Sequence, residues 1–545
     1  MNQRDPHSMY LGKEATLTTA SAIGILESAI GEGVAEVSSG THRNIFGRPL
    51  IEQHGHLQGV SFAMGLSSSG LRAHTVIHGK DILREVDSLS ESVRRHLAFV
   101  IHHYTDKSGR YGRSKDVDHR HFHAMSDSGC IQFFASNIQE AIDLTILGHK
   151  LAELSLCPVI VAVDNAESLV EQVALPSEDA LTAFLGQGDD LIESPSAAQK
   201  MIFGKSRRRI PNWFHFDFPT IQGMGKTGQA QTFELAAQQA YFSSHAAPLA
   251  AQLFKEYTSL TGREYAPLSS YRAEDADYVI IVQGSPLQRV ASVVENLRSK
   301  KIKAGAIHLR MIRPFPGKEV CEMLTGKKGV TILERVIQSS DSEPPIFRGI
   351  VSALDKALQN YEKKKKAVFP DFPALRAGEK PILFSGQYGT GEASLNHNDI
   401  IRVFENMIDG GQRRFFVDVD FTRASSLYPK QQILLQSINR DYPDAQNLSL
   451  KQRLTETKDS SVTNTEQSEL PLSLRQYEDH GPPYSRVAPF YDRTGVFYET
   501  NATQEIVADP FQGIPVVPPS TANFIRNETT RETLPEFISS KCTGC

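Results

Sequence analysis

Short apolar runs recur along much of the chain, each separated from the next by a stretch with helical spacing, and this alternation predicts the fold. Between Gly129 and Asn165 the runs Cys130–Ala135 and Pro158–Val163 are nearly all apolar and too short for helices. They predict strands buried on both faces of a parallel sheet. Ile138, Ala141, Ile142 and Ile146 lie on one helical face between them, and that helix supplies the crossover parallel strands require. Ser136 is the expected N-cap, with Gln139 reaching back to complete a capping box.

The same grammar is repeated on either side. A helix is predicted over Ala15–Gly31 and a strand over Val34–Val37, followed by the loop Ser38–Thr41. A small-residue helix spans Gly59–Gly70, a strand spans Ala73–Ile77, and helix and strand alternate again through Leu97–His102. Further along, Tyr278–Val282, Ala304–His308 and Val330–Leu333 read as strands, with a helix over Pro286–Ser299. The pattern predicts an α/β protein of two doubly wound open-sheet domains, 1–262 and 263–410. A connector follows over 411–470, polar from Asn447 to Gln467, and then an extended segment over 471–545, rich in proline and aromatic residues. Open sheets bind ligands at the carboxyl ends of their strands. Thr41, in the loop after the first strand, and the loop after His78 are therefore expected at one edge.

Composition narrows the partners. The 545 residues carry a net charge of −5, which gives no global basic field for nucleic acid. Arg207–Arg209 and Lys363–Lys366 are expected as solvated surface. No apolar run approaches the roughly 20 residues that span a bilayer, and the N-terminus lacks a signal-peptide core, so a cytoplasmic protein is expected. Five cysteines do not make a disulfide framework. Cys130, Cys157 and Cys321 sit in apolar surroundings and are expected in the core.

Three motifs carry little. Gly223–Thr227 resembles the end of a phosphate loop, but the required earlier glycine is Thr220. Asp116, Asp118, His119, His121 and His123 resemble a metal cluster, with alternation along a strand setting alternate members on one side, against a plainer reading as a polar, partly exposed loop. Gly188-Asp189 followed by Asn212 fits a magnesium-binding spacing only loosely, with no strand before it.

The ordered motifs resemble the N-terminal half of the pyruvate:ferredoxin and related 2-oxoacid:ferredoxin oxidoreductases, over about Gly12–Met407. The residues that carry the likeness are Ala35–Thr41, Ser136–Leu144 (S-N-I-Q-E-A-I-D-L), Ser259–Arg263 (S-L-T-G-R), His308–Phe315, Leu333–Arg335 and Gly386–Gly389. The resemblance implies a pyrimidine-binding-like domain followed by a transketolase C-terminal-like domain. It also implies a 2-oxoacid substrate cleaved oxidatively onto coenzyme A, with thiamine diphosphate and Mg2+ as cofactor, 4Fe-4S clusters as the electron exit, and ferredoxin or flavodoxin as acceptor.

Carried over residue by residue, Thr41 falls on the family threonine that faces the cofactor. The family glutamate that hydrogen-bonds the aminopyrimidine ring falls on His56, with Glu52 four residues earlier as the alternative. The substrate arginine falls near Asp106, with Arg110 and Arg113 the nearest basic residues. The later family domain that holds magnesium and diphosphate is absent, so this chain supplies half of a site, and the rest belongs to further domains or subunits of an assembly expected to be a homodimer. Cys542 and Cys545 end the chain with half of a cluster-binding pattern, and the lead-in Val517–Thr521 predicts a chain that continues into a ferredoxin-like cluster domain. The alternative is a non-catalytic scaffold paralogue that has kept the packing and lost the thiamine chemistry.

Overall fold

In the computed structural model, the residues described are 12–34, 51–52, 59–105, 117–164, 170–217, 227–336, 343–362, 367–389, 395–417, 419, 421, 429–450, 490–499, 502 and 505–514. The chain begins with β1 (Glu14–Thr18), α1 (Thr19–Ile30), β2 (Gly33–Val34), β3 (Ile51–Glu52), α2 (Gly59–Ser68) and β4 (Ala73–His78). It continues with α3 (Val86–Arg94), β5 (Phe99–Tyr104), α4 (Arg120–Ala124), β6 (Ile131–Phe134), α5 (Ile138–Ser155) and β7 (Val159–Val163). Then come β8 (Val170–Ala174), α6 (Glu178–Leu185), β9 (Leu191–Glu193), α7 (Ala197–Phe203), β10 (Ser206–Arg208), α8 (Gln229–Tyr241) and α9 (Ala246–Thr261). The second series is β11 (Leu268–Tyr271), β12 (Tyr278–Val282), α10 (Leu287–Ser299), β13 (Ala304–Leu309), β14 (Met311–Arg313) and α11 (Gly317–Leu324). It closes with β15 (Gly329–Glu334), α12 (Pro345–Glu362), β16 (Ile382–Gln387), α13 (His397–Ile408) and β17 (Arg414–Phe416).

Two open sheets result, as the alternation predicts. The first has the order β14-β6-β7-β5-β4-β2-β3, parallel throughout except for β14. The second has the order β11-β13-β12-β15-β16-β17, parallel except for β11. One face of the first sheet buries Val100, Val159 and Val161 against Ile142 and Ile146 of α5, Leu26 of α1 and Phe254 of α9. The other face shares a core with the second sheet, running from Phe99, Phe134 and Ile160 to Ile281, Ile307 and Ile332. A separate compact unit covers 419–545, in which Leu435 and Ile438 of α14 (Pro429–Asp441) pack on Val507.

Several local expectations are corrected. Glu14–Thr18 is a strand paired antiparallel with β8, so the predicted helix starts only at Thr19. Asn137, not Ser136, caps α5, its side chain accepting from Glu140 N at 2.8 Å. Ser136 instead gives its N–H and hydroxyl to the Glu140 carboxylate at 2.6 and 2.5 Å. Gln139 exchanges hydrogen bonds with the backbone of Ala174 rather than with the cap. Arg207 is buried, not solvated, because its guanidinium donates to the carbonyls of Glu153, Arg208 and Arg209. Cys130 and Cys321 are core residues, while Cys157 is half-buried.

The motif residues hold the two sheets together. Glu140 binds the Arg310 guanidinium, which also donates to Ala266 O at 2.6 Å and lies 4.8 Å from the centre of the Tyr265 ring. Burial alone would raise the Glu140 pKa, but Arg310 and His308 hold it well below the usual carboxylate range. Asp143, one turn along α5, takes Arg263 through both oxygens at 2.7 and 2.9 Å and accepts from the Tyr257 and Tyr265 hydroxyls. The S-N-I-Q-E-A-I-D-L helix is therefore the structural partner of the S-L-T-G-R and H-L-R-M-I-R-P-F segments.

Candidate functional site

The carboxyl ends of both sheets meet at Asp164, the residue after β7. In the first sheet β7 neighbours β5, whose chain end is Thr105; in the second, β12 sits between β13 and β15, where the winding reverses. Such reversal points open crevices at the carboxyl edge. The Asp164 carboxylate is fully buried and accepts from the Thr105 hydroxyl at 2.7 Å, His119 Nε2 at 2.9 Å, and the N–H and hydroxyl of Ser285 at 3.2 and 3.3 Å. Burial alone would push its pKa up, but His119, Arg335 and the Thr105 hydroxyl bring it down to about 2. Gly284 lies at φ +78, and a Cβ there would fall 2.2 Å from Asp164 Oδ2, so close approach of the second sheet requires glycine.

Around this joint several buried polar atoms lack partners. His119 Nε2 is committed to Asp164 and its Nδ1 is unsatisfied; His123 bonds Gln283 Oε1 through Nε2 at 3.0 Å, which leaves its own Nδ1 and Gln283 Nε2 unsatisfied. His103 donates to Ile77 O at 3.2 Å, and its Nε2 is unsatisfied. Burial lowers His103 and His123 to about 3, so both are neutral at physiological pH. The neutral acceptors of His103 and His123 beside an amide donor suit a polar heterocycle better than an apolar ligand.

Sequence reasoning missed Thr105, Asp164, Gln283 and Ser285, although each stands just past a buried strand and that position was the signal. The metal-cluster reading of Asp116–His123 is corrected. Arg120–Ala124 is a short helix, so His119 and His123 turn towards Asp164 and Gln283, and Asp118 pairs with Arg120. The loop reading fails as well, since His119 and His123 are buried. Among the described residues no group of His, Cys, Asp and Glu could hold a metal ion.

The carried-over site residues fall mostly elsewhere in the chain. Thr41, His56, Arg110, Arg113, Cys542 and Cys545 lie outside the described residues, as does Gly223–Lys226. Glu52 is the last residue of β3, in register with Val34 of β2, and β4, on the other side of β2, ends at His78. His78 in turn meets the Tyr104 ring edge-on at 5.1 Å. Gly188 packs near Gly70 O and Glu32 at the opposite, amino edge of the sheet, which removes the loose magnesium spacing from the joint. Cavity volume does not find this site: a space of about 360 Å³ lined by His96, Cys157, Phe242 and Arg313 lies at that amino edge, and one of about 430 Å³ lies beside Glu319 and Lys327.

Fit to cofactors differs by group. The joint offers donors and acceptors for a heterocycle such as the thiamine pyrimidine. Among the described residues it offers no ligand set for magnesium, since the Asp164 carboxylate is already taken up by four donors. The described thiols do not suit a cluster: burial pushes Cys130 up to about 12 and Cys321 up to about 11, which keeps them protonated.

Two family profiles match the chain. One, described as "Pyruvate flavodoxin/ferredoxin oxidoreductase, thiamine diP-bdg", covers residues 51–213, and the other, "Pyruvate:ferredoxin oxidoreductase core domain II", covers residues 276–367. The chain resembles the N-terminal half of the 2-oxoacid:ferredoxin oxidoreductase family. Among its curated relatives is pyruvate synthase subunit PorA of Thermotoga maritima, 28% identical over 366 residues that cover 66% of this chain and 82% of that subunit. Another is the Escherichia coli protein named "Probable pyruvate-flavodoxin oxidoreductase", 21% identical over 378 residues, 69% of this chain but 29% of that protein. Among solved structures, 2-oxoglutarate:ferredoxin oxidoreductase from Magnetococcus marinus aligns over 73% of this chain and 66% of its own, with a TM-score of 0.48 and 15% identity. No helix among the described residues is long and apolar enough to cross a membrane.

Proposed function

We propose that the chain is the pyrimidine-side portion of a cytoplasmic 2-oxoacid:ferredoxin oxidoreductase acting on a pyruvate-like substrate. The observation that carries this reading is the likeness to PorA over 82% of that subunit. Glu52 ends β3 at the same carboxyl edge of the first sheet as Asp164, four strands along in the order of the sheet, so the joint at Asp164 is a second polar region of that edge and not the ring contact itself. No observation favours the scaffold alternative. The domain limits 1–262, 263–410, 411–470 and 471–545 belong to the same proposal.

When bound, thiamine diphosphate supplies the electron sink for breaking the bond to the substrate carboxylate. This chain holds the ring end through Glu52 or His56 beside Thr41, and Arg110 or Arg113 takes the substrate carboxylate as a paired hydrogen-bond donor. Mg2+ with the diphosphate, the 4Fe-4S clusters and the acceptor contact fall to the remaining domains or subunits, with Cys542 and Cys545 leading into the cluster-bearing part. Coenzyme A takes the acyl product, ferredoxin or flavodoxin takes the electrons, and the complete assembly is a homodimer.

The test is 2-oxoacid-dependent viologen reduction by the assembly that contains this chain. Glu52→Ala is expected to lower the rate by about 100-fold, the value of a positioned acid–base group, and His56→Ala by less than about tenfold. The reverse ranking moves the ring contact to His56. An active wild type in which neither substitution matters by more than a few-fold overturns both assignments.

A further inference from the structure

The cavity of about 360 Å³ at the amino edge of the first sheet lies where the chain enters β6 and β7 and where β14 ends. Ser126 and Gly129 line it before β6, Leu156 and Cys157 before β7, Phe242 between α8 and α9, and Arg313 at the end of β14. Its volume is at the small end of the range that ligand sites occupy. Asp164 stands at the other end of the same strands, and no residue of the joint lines this space.

Two polar groups of the lining are incompletely paired. Arg313 is half-buried, yet among the described residues its guanidinium forms one hydrogen bond, to Ile312 O at 2.8 Å, and no ion pair. Burial holds it below the usual arginine range and Arg348 pushes it the same way, while Asp127, exposed and not ion-paired with it, offsets this only in part. A cation drawn out of water without a carboxylate beside it is costly, and an anion relieves that cost. The Ser126 hydroxyl is buried with no partner and can donate to the same anion. Much of the remaining lining is apolar: Val93, Ile131, Leu156 and Phe242, with the Phe242 ring 4.1 Å from that of His96.

We propose that this cavity binds a small monocarboxylate with an aromatic or branched apolar body, its carboxylate taken by Arg313 and Ser126 and its body packed against Phe242 and Leu156. Charge limits the ligand to a single negative group. Burial lowers His96, so its imidazole is neutral and adds no second cation, and a dianion such as phosphate would also meet the Asp127 carboxylate nearby. A ligand seated here joins the end of β14 to the entries of β6 and β7, so its occupancy stabilises the folded chain. This inference is independent of the catalytic reading, which places the chemistry at the opposite edge.

Calorimetric titration of the full chain tests it, with phenylacetate as the probe and phenylacetamide as its uncharged counterpart. Phenylacetate is expected to bind with a Kd on the order of 0.1–1 mM and to raise the melting temperature. Phenylacetamide is expected to bind at least about tenfold more weakly, the cost of losing a charge-assisted hydrogen bond. Arg313→Met, which keeps the stem, is expected to weaken phenylacetate by about tenfold or more and to leave phenylacetamide unchanged. Ser243→Trp, at an exposed position of the lining, is expected to block both probes, and it removes no buried contact, so it decides the matter even if Arg313→Met fails to fold. Glu52→Ala, at the opposite edge, is expected to change neither. Equal binding of the acid and the amide overturns the proposal. So does phenylacetate binding that survives Ser243→Trp or a folded Arg313→Met, binding lost with Glu52→Ala, tighter binding of inorganic phosphate, or no binding at millimolar probe.

Discussion

Glu140→Ala is expected to lower the unfolding free energy by about 3–5 kcal/mol, the penalty for removing one partner of a buried ion pair. Arg310 would keep its guanidinium 5% exposed beneath Tyr265, with only the Ala266 carbonyl and the ring left to face it. Ser136 would lose the acceptor for both its N–H and its hydroxyl. Because Arg310 belongs to the second series of elements and Glu140 to the first, the loss falls on the joint between the sheets. Denaturant midpoints measure it. The double variant Glu140→Ala with Arg310→Met is expected to be more stable than Glu140→Ala alone, since no bare charge remains buried. Equal midpoints for wild type and Glu140→Ala would show that the pair contributes nothing.

Acid is expected to unfold the protein well above the pH at which its carboxylates alone would do so. His103 and His123 are buried neutral at about 3 against an ordinary 6.5, burial being the main cause in each. A base whose folded pKa is depressed takes its proton first in the unfolded chain. Stability is therefore intact above 6.5 and drains away as the pH falls towards 3. Between pH 6 and pH 4 the two imidazoles together remove about 5 kcal/mol. His96 and His102, also lowered by burial, act in the same direction. Glu334 opposes them. Burial raises it to about 7 despite the N–H groups of Ile346 and Phe347, so its share runs the other way by about 2 kcal/mol over that span. Glu27 and Glu140, held low, add to the loss once the unfolded carboxylates begin to protonate. A net loss of roughly 3–5 kcal/mol is comparable to the whole stability of many domains. Guanidinium midpoints that stay flat from pH 6 to pH 4 would refute it.

The buried strands were legible because both their faces are covered, so β6, β7, β12, β13 and β15 are written as mostly apolar runs, interrupted only by Gln132, His308, Thr331 and Glu334. β1 was not, because its residues are exposed or half-buried and a helical pattern begins at the very next residue. Arg207 was misjudged for a different reason: what buries it is the carbonyl of Glu153 and its neighbours, 54 positions earlier, a contact with no local signature. The joint at Asp164 was legible only as a class of position. That strand ends carry ligand sites follows from the alternation, but which ends from different sheets face one another depends on packing that no single run encodes. Thr41 could be set at a strand end from the alternation as well as from the resemblance, whereas Glu52, His56, Arg110 and Arg113 rest on resemblance alone.

Strand β14 bears on how the chain comes into being on the ribosome. Met311 and Arg313 pair with Phe133 and Gln132, and Arg310 O accepts from Phe134 N at 2.8 Å, so the outer edge of β6 is closed by residues made almost 180 positions later. Until those residues emerge, the nascent N-terminal portion presents a bare, apolar strand edge, the kind of surface on which chains pair with one another. Cutting the gene after residue 262 would make that transient state permanent. Expression of such a fragment is expected to yield inclusion bodies, while extending it to include β14 and the elements that support it closes the edge within the same polypeptide.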